Sequence, residues 1–298
     1  MPTPPNTDHQ ASPTSGGKPE LKTVELFAIG NELLVGQVLD TNSHWLIRNI
    51  TALGARMNRA AMIRDDYDHI GDELLGAIRR GPRLIVTTGG LGPTDDDLTL
   101  RAIGRTFHRL LVLHPEALEM VRKRYEYIAT IRENFDPTMN DARRKMAYFP
   151  EGSTPLFNPN GAAPAMALDV PSGHADGVTT IVSLPGVPSE MKDIFASSMQ
   201  PVLAQSIGAG GYVERTIVLD KGDESRIADV LQGVQTHHPA VYVKSRGQKL
   251  EDGLRLTVVL SMGGSDLTDV RAQVQSTQDE AVTGLAGLGY GILRVVEL

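Results

Sequence analysis

The run Leu84–Ile85–Val86–Thr87–Thr88 constrains this chain more than any other five residues. It is apolar or β-branched throughout and shows no polar alternation, which predicts a strand buried on both faces, as in the interior of a parallel sheet. It passes without a break into Gly89–Gly90–Leu91–Gly92 and then into Thr94 and the aspartates Asp95, Asp96 and Asp97. Glycines at the end of a buried strand allow positive φ and close backbone approach. Their N–H groups, with the hydroxyls of Thr87, Thr88 and Thr94, make a place for a phosphate at the carboxyl edge of a sheet. The loop matches neither a Walker loop nor a dinucleotide fingerprint.

The surrounding pattern supports that placement. Thr23–Ile29 predicts a strand ending at Gly30, and Asp40 or Thr41 can cap a helix with Leu46, Ile50 and Leu53 on one face. Ala55–Ile63 predicts a second strand. A helix from about Asp68 then aligns Ile70, Leu74 and Ile78 and stops at Gly81–Pro82. Further helices are expected from about Asp97, over His114–Ile131 and over Val187–Met199. Strands at Pro164–Val170 and Thr179–Leu184 flank a turn at Pro171–Gly177. Such alternation predicts an α/β fold whose parallel sheet is covered on both sides, with an antiparallel hairpin at one edge.

Three segments are expected: a Pro/Ser/Thr/Gly-rich disordered tail over 1–20, a large domain over 21–206, and a smaller one over 207–298 that begins at Ile207–Gly211. The last segment reads as strand, helix, strand, strand, helix and strand, a small α/β unit of the split β-α-β kind.

Composition narrows the function. The 298 residues are 41% hydrophobic and 22% charged, as expected of a water-soluble domain with a sizeable core. There are no cysteines, so disulfides, thiolate metal sites and cysteine nucleophiles are excluded. No apolar run is long enough to span a bilayer and no leader pattern is seen at the amino end, so a cytoplasmic location is expected. A net charge of −7 argues against nucleic-acid backbone as the main partner. Basic and acidic residues balance across 214–262, and the one GxxG, Gly208–Gly211, lies in the expected linker.

Three carboxylates beside an anion loop make chemical sense if a divalent cation sits between them and the phosphate, or if one is a general base. The alternative is that Asp95–Asp97 cap and dipole-match the next helix. Companion loops are expected at the same sheet edge: Gly30–Asn31–Glu32 onward, Asp65–Asp66, and Leu184–Pro185–Gly186–Val187–Pro188. Trp45 reads as a core or interface aromatic, His237–His238 as an exposed loop, and Arg143–Arg144–Lys145 as a solvated helix face. Lys244 and Arg246 are candidates for a cleft between domains or across a dimer.

Taken in order, GNELLVGQVLDTN, TTGGLGPTDDDLT and LPGVPSEMK closely resemble the amino-terminal domain of the CinA family, a branch of the wider molybdopterin-binding family that includes MoaB, MogA and part of MoeA. The resemblance spans about Val24 to Met199. The remainder looks like the KH-like second domain of that family, and the carboxy-terminal nicotinamide-mononucleotide deamidase domain is expected to be absent. The resemblance implies a three-layer α/β/α fold, a homodimer or higher homo-oligomer, and a nucleotide or pterin ligand, with no nucleic acid and no membrane. It also implies either metal-dependent ADP-ribose pyrophosphatase activity or a non-catalytic molybdopterin- or nucleotide-binding module.

Carried over by motif, Gly89, Gly90 and Gly92 hold phosphate, with Thr88, Thr94, Pro185, Gly186 and Ser189 nearby. Glu32, Asp40 and Asn42 line the facing wall. Asp97 and Asp65 are the catalytic candidates, and Asp95 and Asp97 the ligands for magnesium or a similar ion. Asn140 and Gly161 hold family positions. Lys145 stands where the family carries Gln, and Ala162 and Ala165 replace a Thr and a Gly. That change sets a cation where it can pair with a phosphate and removes a hydroxyl.

Overall fold

The computed structural model describes residues 22–173, 177–208, 210–250, 253–264 and 266–297. The expected tail over 1–20 and the middle of the Pro171–Gly177 turn lie outside the described residues.

The chain runs β1 (Thr23–Ile29), α1 (Asn31–Leu34), α2 (Thr41–Ala52), β2 (Arg56–Ile63), α3 (Tyr67–Arg80), β3 (Leu84–Thr88), α4 (Thr99–Thr106), β4 (Leu111–Leu113) and α5 (Pro115–Ile131). It continues through α6 (Asp141–Lys145), β5 (Tyr148–Pro150), β6 (Thr154–Leu156), β7 (Ala165–Pro171), β8 (Val178–Leu184), α7 (Pro188–Ala196) and α8 (Gln200–Ser206). The last third holds β9 (Gly211–Leu219), α9 (Glu224–His237), β10 (Tyr242–Leu250), β11 (Gly253–Gly264), α10 (Leu267–Gly287) and β12 (Ile292–Glu297).

The main sheet has the order β2-β1-β3-β8-β7-β6. Strands β2, β1, β3 and β8 are parallel, and β7 and β6 run antiparallel at one edge. Alternate residues feed two cores. Phe27, Ile29 and Ile85 pack with Ile70, Leu74 and Ile103, whereas Leu26, Leu84 and Val86 pack with Leu46, Ile50 and Ile194. A strand with both faces covered has no position for a polar alternation, which is why LIVTT reads as one unbroken run. The order doubles back at β1: β2 lies on one side of it and β3 on the other. The crevice at the carboxyl ends of β1 and β3 is therefore a topological switch point, where open α/β sheets place their ligands.

One buried charge is built into this sheet. Glu25 on β1 is fully buried and receives Arg80 in a two-pronged contact, Nε to Oε1 at 2.8 Å and Nη2 to Oε2 at 2.7 Å.

Local readings needed three corrections. The helix expected from Asp97 starts at Thr99, with Leu98 at its cap position and no side-chain cap, so the three aspartates belong to the loop. Thr94 turns the chain back on Asp97, and that turn competes with helix continuation. The helix expected over Val187–Met199 breaks at Ser197, and α8 continues separately. Four short elements, α1, β4, β5 and β6, were not anticipated; each has four residues or fewer, too short for periodicity to register.

The second unit is a four-stranded antiparallel sheet, β10-β11-β9-β12, packed on α9 and α10 around Ile217, Leu256, Val274 and Leu285. This is the split β-α-β arrangement. It meets the first unit where α2 gives way to β2. A Cβ on Gly54 would lie 2.7 Å from Gly264 O, and one on Gly210 would lie 2.6 Å from Leu53 O. That junction is at the amino edge of the main sheet, opposite the switch point.

Candidate functional site

A cavity of about 420 Å³ opens at the switch point. Each of the four parallel strands delivers a loop to it: Ile29, Gly30 and Glu32 after β1, Asp65 after β2, Gly89–Pro93 after β3, and Pro185–Val187 with Glu190 after β8. Tyr125 of α5, Met146 after α6, and Ala162 and Ala163 before β7 close the remaining side.

The glycines are required by contact. Gly89 has φ +101°, and a Cβ there would lie 2.1 Å from Ile29 O. Gly90 has φ +66°, and a Cβ would lie 2.2 Å from Thr99 Oγ1 and 3.2 Å from Asp65 Oδ2. The backbone is held from behind: Thr99 Oγ1 donates to Gly89 O at 2.9 Å, and Gly89 N–H donates to Leu184 O at 3.0 Å. Gly89 is thus a structural hinge between β3 and β8, and its amide, expected to face a phosphate, is already committed. The N–H groups of Gly90, Leu91 and Gly92 have no acceptor among the described residues. Three successive amides at a positive-φ loop form an anion-binding concavity.

The same cavity also presents acceptors. Glu32, Asp65, Asp96, Asp97 and Glu190 line it, and among the described residues no lysine or arginine does. Burial pushes the Asp65 carboxyl up to about 6, helped by the negative charges of Asp97, Asp96 and Glu32 and opposed by a hydrogen bond from the Leu98 backbone. Its Oδ1 is buried with no protein partner. A half-buried carboxyl with one unsatisfied oxygen and a pKa near neutrality is the profile of a ligand-contacting acid or base.

The other expected site residues have different tasks. Thr88 is buried inside β3, and Thr94 donates through its N–H to Asp97 Oδ2 at 3.0 Å, away from the cavity wall. Asp40 caps α2 through Ser43 N–H at 2.9 Å, and Asn140 caps α6 through Arg143 N–H at 2.9 Å. Asn42 is buried behind the wall and donates to Gly186 O at 2.7 Å, fixing the loop after β8. Ser189 is exposed in the first turn of α7 and does not line the cavity. Gly161 supports the wall from outside: its N–H donates to Asn158 Oδ1 at 2.7 Å, and a Cβ there would strike Glu190. Asn158 Nδ2 in turn donates to Glu190 Oε2 at 2.7 Å, which orients that carboxylate.

Lys145 is not among the residues that line the cavity. Its ammonium donates to the carbonyl oxygens of Gly92 at 3.1 Å, Asp97 at 2.9 Å and Thr94, closing the acidic loop on itself. Burial pulls its pKa below the usual lysine value, while Asp97 works in the other direction. Replacing Lys145 with Met removes all three hydrogen bonds. Charge-assisted bonds of this kind contribute about 1.5–3 kcal/mol each when fully made, but the loop carbonyls can be rehydrated. A loss of about 1–2 kcal/mol is therefore expected, with faster amide exchange confined to residues 92–98. Unchanged exchange there would show that the loop holds its shape without the clamp.

The expected metal ligands do not converge. Asp95 is not on the cavity wall, and Asp97 spends Oδ2 on Thr94. Among the described residues, no three His, Asp or Glu side chains are grouped to hold a metal ion. His237 and His238 both contact the carboxylate of Glu280, at 2.7 Å and 3.0 Å, so the pair is tied to α10 and not left in an open loop. Trp45 packs edge-on against Phe195 with ring centroids 5.1 Å apart. No helix among the described residues is long and apolar enough to cross a membrane.

Three lining residues were missed by sequence reasoning: Tyr125, Met146 and Glu190. Glu190 follows the Pro188–Ser189 turn and had a signal in its motif. The other two had none, because helices outside the parallel strands bring them in.

These features define a doubly covered α/β protein with a ligand-sized cleft at its switch point. Residues 25–205 match the family described as a probable molybdopterin binding domain, and the chain belongs to that family. A protein of Aeropyrum pernix is 37% identical over 268 residues, covering 90% of this chain and 95% of its own length. One from Pyrococcus horikoshii is 36% identical over 212 residues, 71% of this chain and 79% of its own. Among solved structures, CinA of Thermoplasma acidophilum, described as of unknown function, aligns with a TM-score of 0.51 and 30% identity over 61% of this chain and 98% of its own. The family match stops before β9, so the KH-like reading of the second unit rests on resemblance alone.

Proposed function

We propose that the cavity binds a phosphorylated pterin or nucleotide, with phosphate on the loop amides and the ring's N–H groups facing the carboxylates. The observation that carries this reading is that unpartnered N–H groups at Gly90–Gly92 and five carboxylates, one of them with the orphaned Asp65 Oδ1, share one cavity. Amide nests take phosphate, and pterins and purines present donor-rich edges that carboxylates recognise. Membership of the molybdopterin-binding family supports a pterin as one such ligand.

Titration calorimetry with neopterin monophosphate, AMP and ADP-ribose tests this. Binding of at least one, weakened about tenfold or more in Asp65→Asn by loss of a charged acceptor, is expected. No heat with any of the three would remove the reading.

The raised pKa of Asp65 favours a second reading, hydrolysis of a pyrophosphate such as that of ADP-ribose. Here Asp65 takes a proton from water, the water oxygen bonds to one phosphorus, and the bridging P–O bond breaks with its electron pair going to the departing phosphate. Among the described residues no three His, Asp or Glu side chains are grouped for a metal, so in this reading magnesium enters with the ligand's phosphates. Assays with magnesium and with chelator separate these cases, and absence of turnover in both leaves the binding role alone. A homodimer or higher homo-oligomer belongs to the same reading and is checked by light scattering.

A further inference from the structure

Resting on the binding role just described, we propose that Tyr125 is the platform on which the ligand's ring lies and that Arg143 fixes the platform. The cavity then selects a planar heterocycle over a bare sugar phosphate. Tyr125 is the only aromatic side chain among the described residues that line the cavity. It stands on α5, which is anchored through buried Ala117 and Val121.

Its ring is braced on the side of Arg143. The guanidinium carbon lies 3.9 Å from the Tyr125 ring centroid and 5.2 Å from that of Phe135, and the two rings are parallel within 3° at 6.1 Å. Arg143 is itself held, donating through Nη1 to Asp136 O at 2.8 Å and Thr138 O at 2.6 Å. The residue expected on a solvated face is therefore part of the architecture beside the pocket. A cation over one face of a phenol ring holds that ring in place.

Met146, Ala162 and Ala163 belong to the same apolar cluster as Tyr125 and line the same cavity. They give it a patch of small and flexible side chains beside the aromatic surface. This patch comes from residues 115–163, whereas the amide loop and the acids Asp65, Asp96 and Asp97 come from the loops after β2 and β3. The aromatic surface for the ring's face and the amide loop for the phosphate thus come from separate stretches of the chain, with the acids beside the loop within reach of the ring's edge.

The test compares phosphate monoesters with and without a planar heterocycle. Affinities for AMP, neopterin monophosphate and ribose 5-phosphate are measured by calorimetry in the unaltered protein, Tyr125→Ala, Tyr125→Phe and Arg143→Met. The unaltered protein is expected to prefer a ring-bearing ligand by about 10- to 100-fold, the range of base–aromatic stacking. Tyr125→Ala should abolish that preference without changing ribose 5-phosphate affinity, Tyr125→Phe should keep it, and Arg143→Met should reduce it. Equal weakening of ringed and ringless ligands, or a preference that survives in Tyr125→Ala, overturns the platform while leaving the phosphate site standing. If the unaltered protein binds none of the three, the underlying binding role fails and the platform with it.

Discussion

Replacing Asp65 with Asn is expected to stabilise the protein at neutral pH while impairing the site. The folded-state pKa, about 6, lies above the value near 3.8 of a free aspartate. The neutral acid is therefore the form that the fold prefers. Stability is fully present below about pH 4 and is lost as pH rises through about 6, because ionisation is disfavoured in the cavity. The full shift would correspond to about 3 kcal/mol at neutral pH, but the side chain is half open to water, and about 1 kcal/mol is the expected gain.

Urea unfolding at pH 4, 5, 6 and 7 reads this directly. The parent should lose stability across the window and Asp65→Asn should not, crossing it by pH 7. Parallel curves would mean that Asp65 titrates normally. If ADP-ribose is hydrolysed, turnover in the variant should fall about 100-fold or more, as loss of a general base requires. A residue whose removal stabilises the fold and weakens function is held in place by function.

The second large effect concerns a group outside the site. Arg80→Ala is expected to destabilise the protein by about 3–5 kcal/mol, because among the described residues it leaves the buried Glu25 carboxylate with only a 3.4 Å contact from Asn58 Nδ2. For a domain of this size that is a large part of total stability. The double substitution Glu25→Leu with Arg80→Met removes both charges and should recover most of the loss, since replacing an ion pair by apolar groups is often near neutral. Thermal and urea unfolding of the parent, Glu25→Leu, Arg80→Met and the double variant gives the coupling. A small effect of Arg80→Ala alone would show that water reaches Glu25 once the arginine is gone.

Sequence legibility differed between the two units and between the two sides of the site. The strands β1, β2, β3, β7 and β8 could be read within a residue or so at most of their ends; for β1 and β3 the reason is burial on both faces and a glycine at the carboxyl end. The helix start after the acidic loop was misplaced by two residues. Asp97 is a good cap in isolation, yet its carboxylate is taken by Thr94. Lys145 looked like a ligand for phosphate because its charge suited one. Only the fold shows that three carbonyls reach it first.

By itself the sequence determined the parallel core, the glycine loop and the presence of acids after β2 and β3. Each of these follows from local rules: β-branching, absence of Cβ, and short polar residues at strand ends. Tertiary structure alone decided which acids face the cavity, that the Gly89 amide is spent on Leu184, that Arg143 braces Tyr125, and that the second unit hangs from the far edge of the sheet. These depend on residues dozens of positions apart meeting in space, and no local preference encodes which partner arrives first.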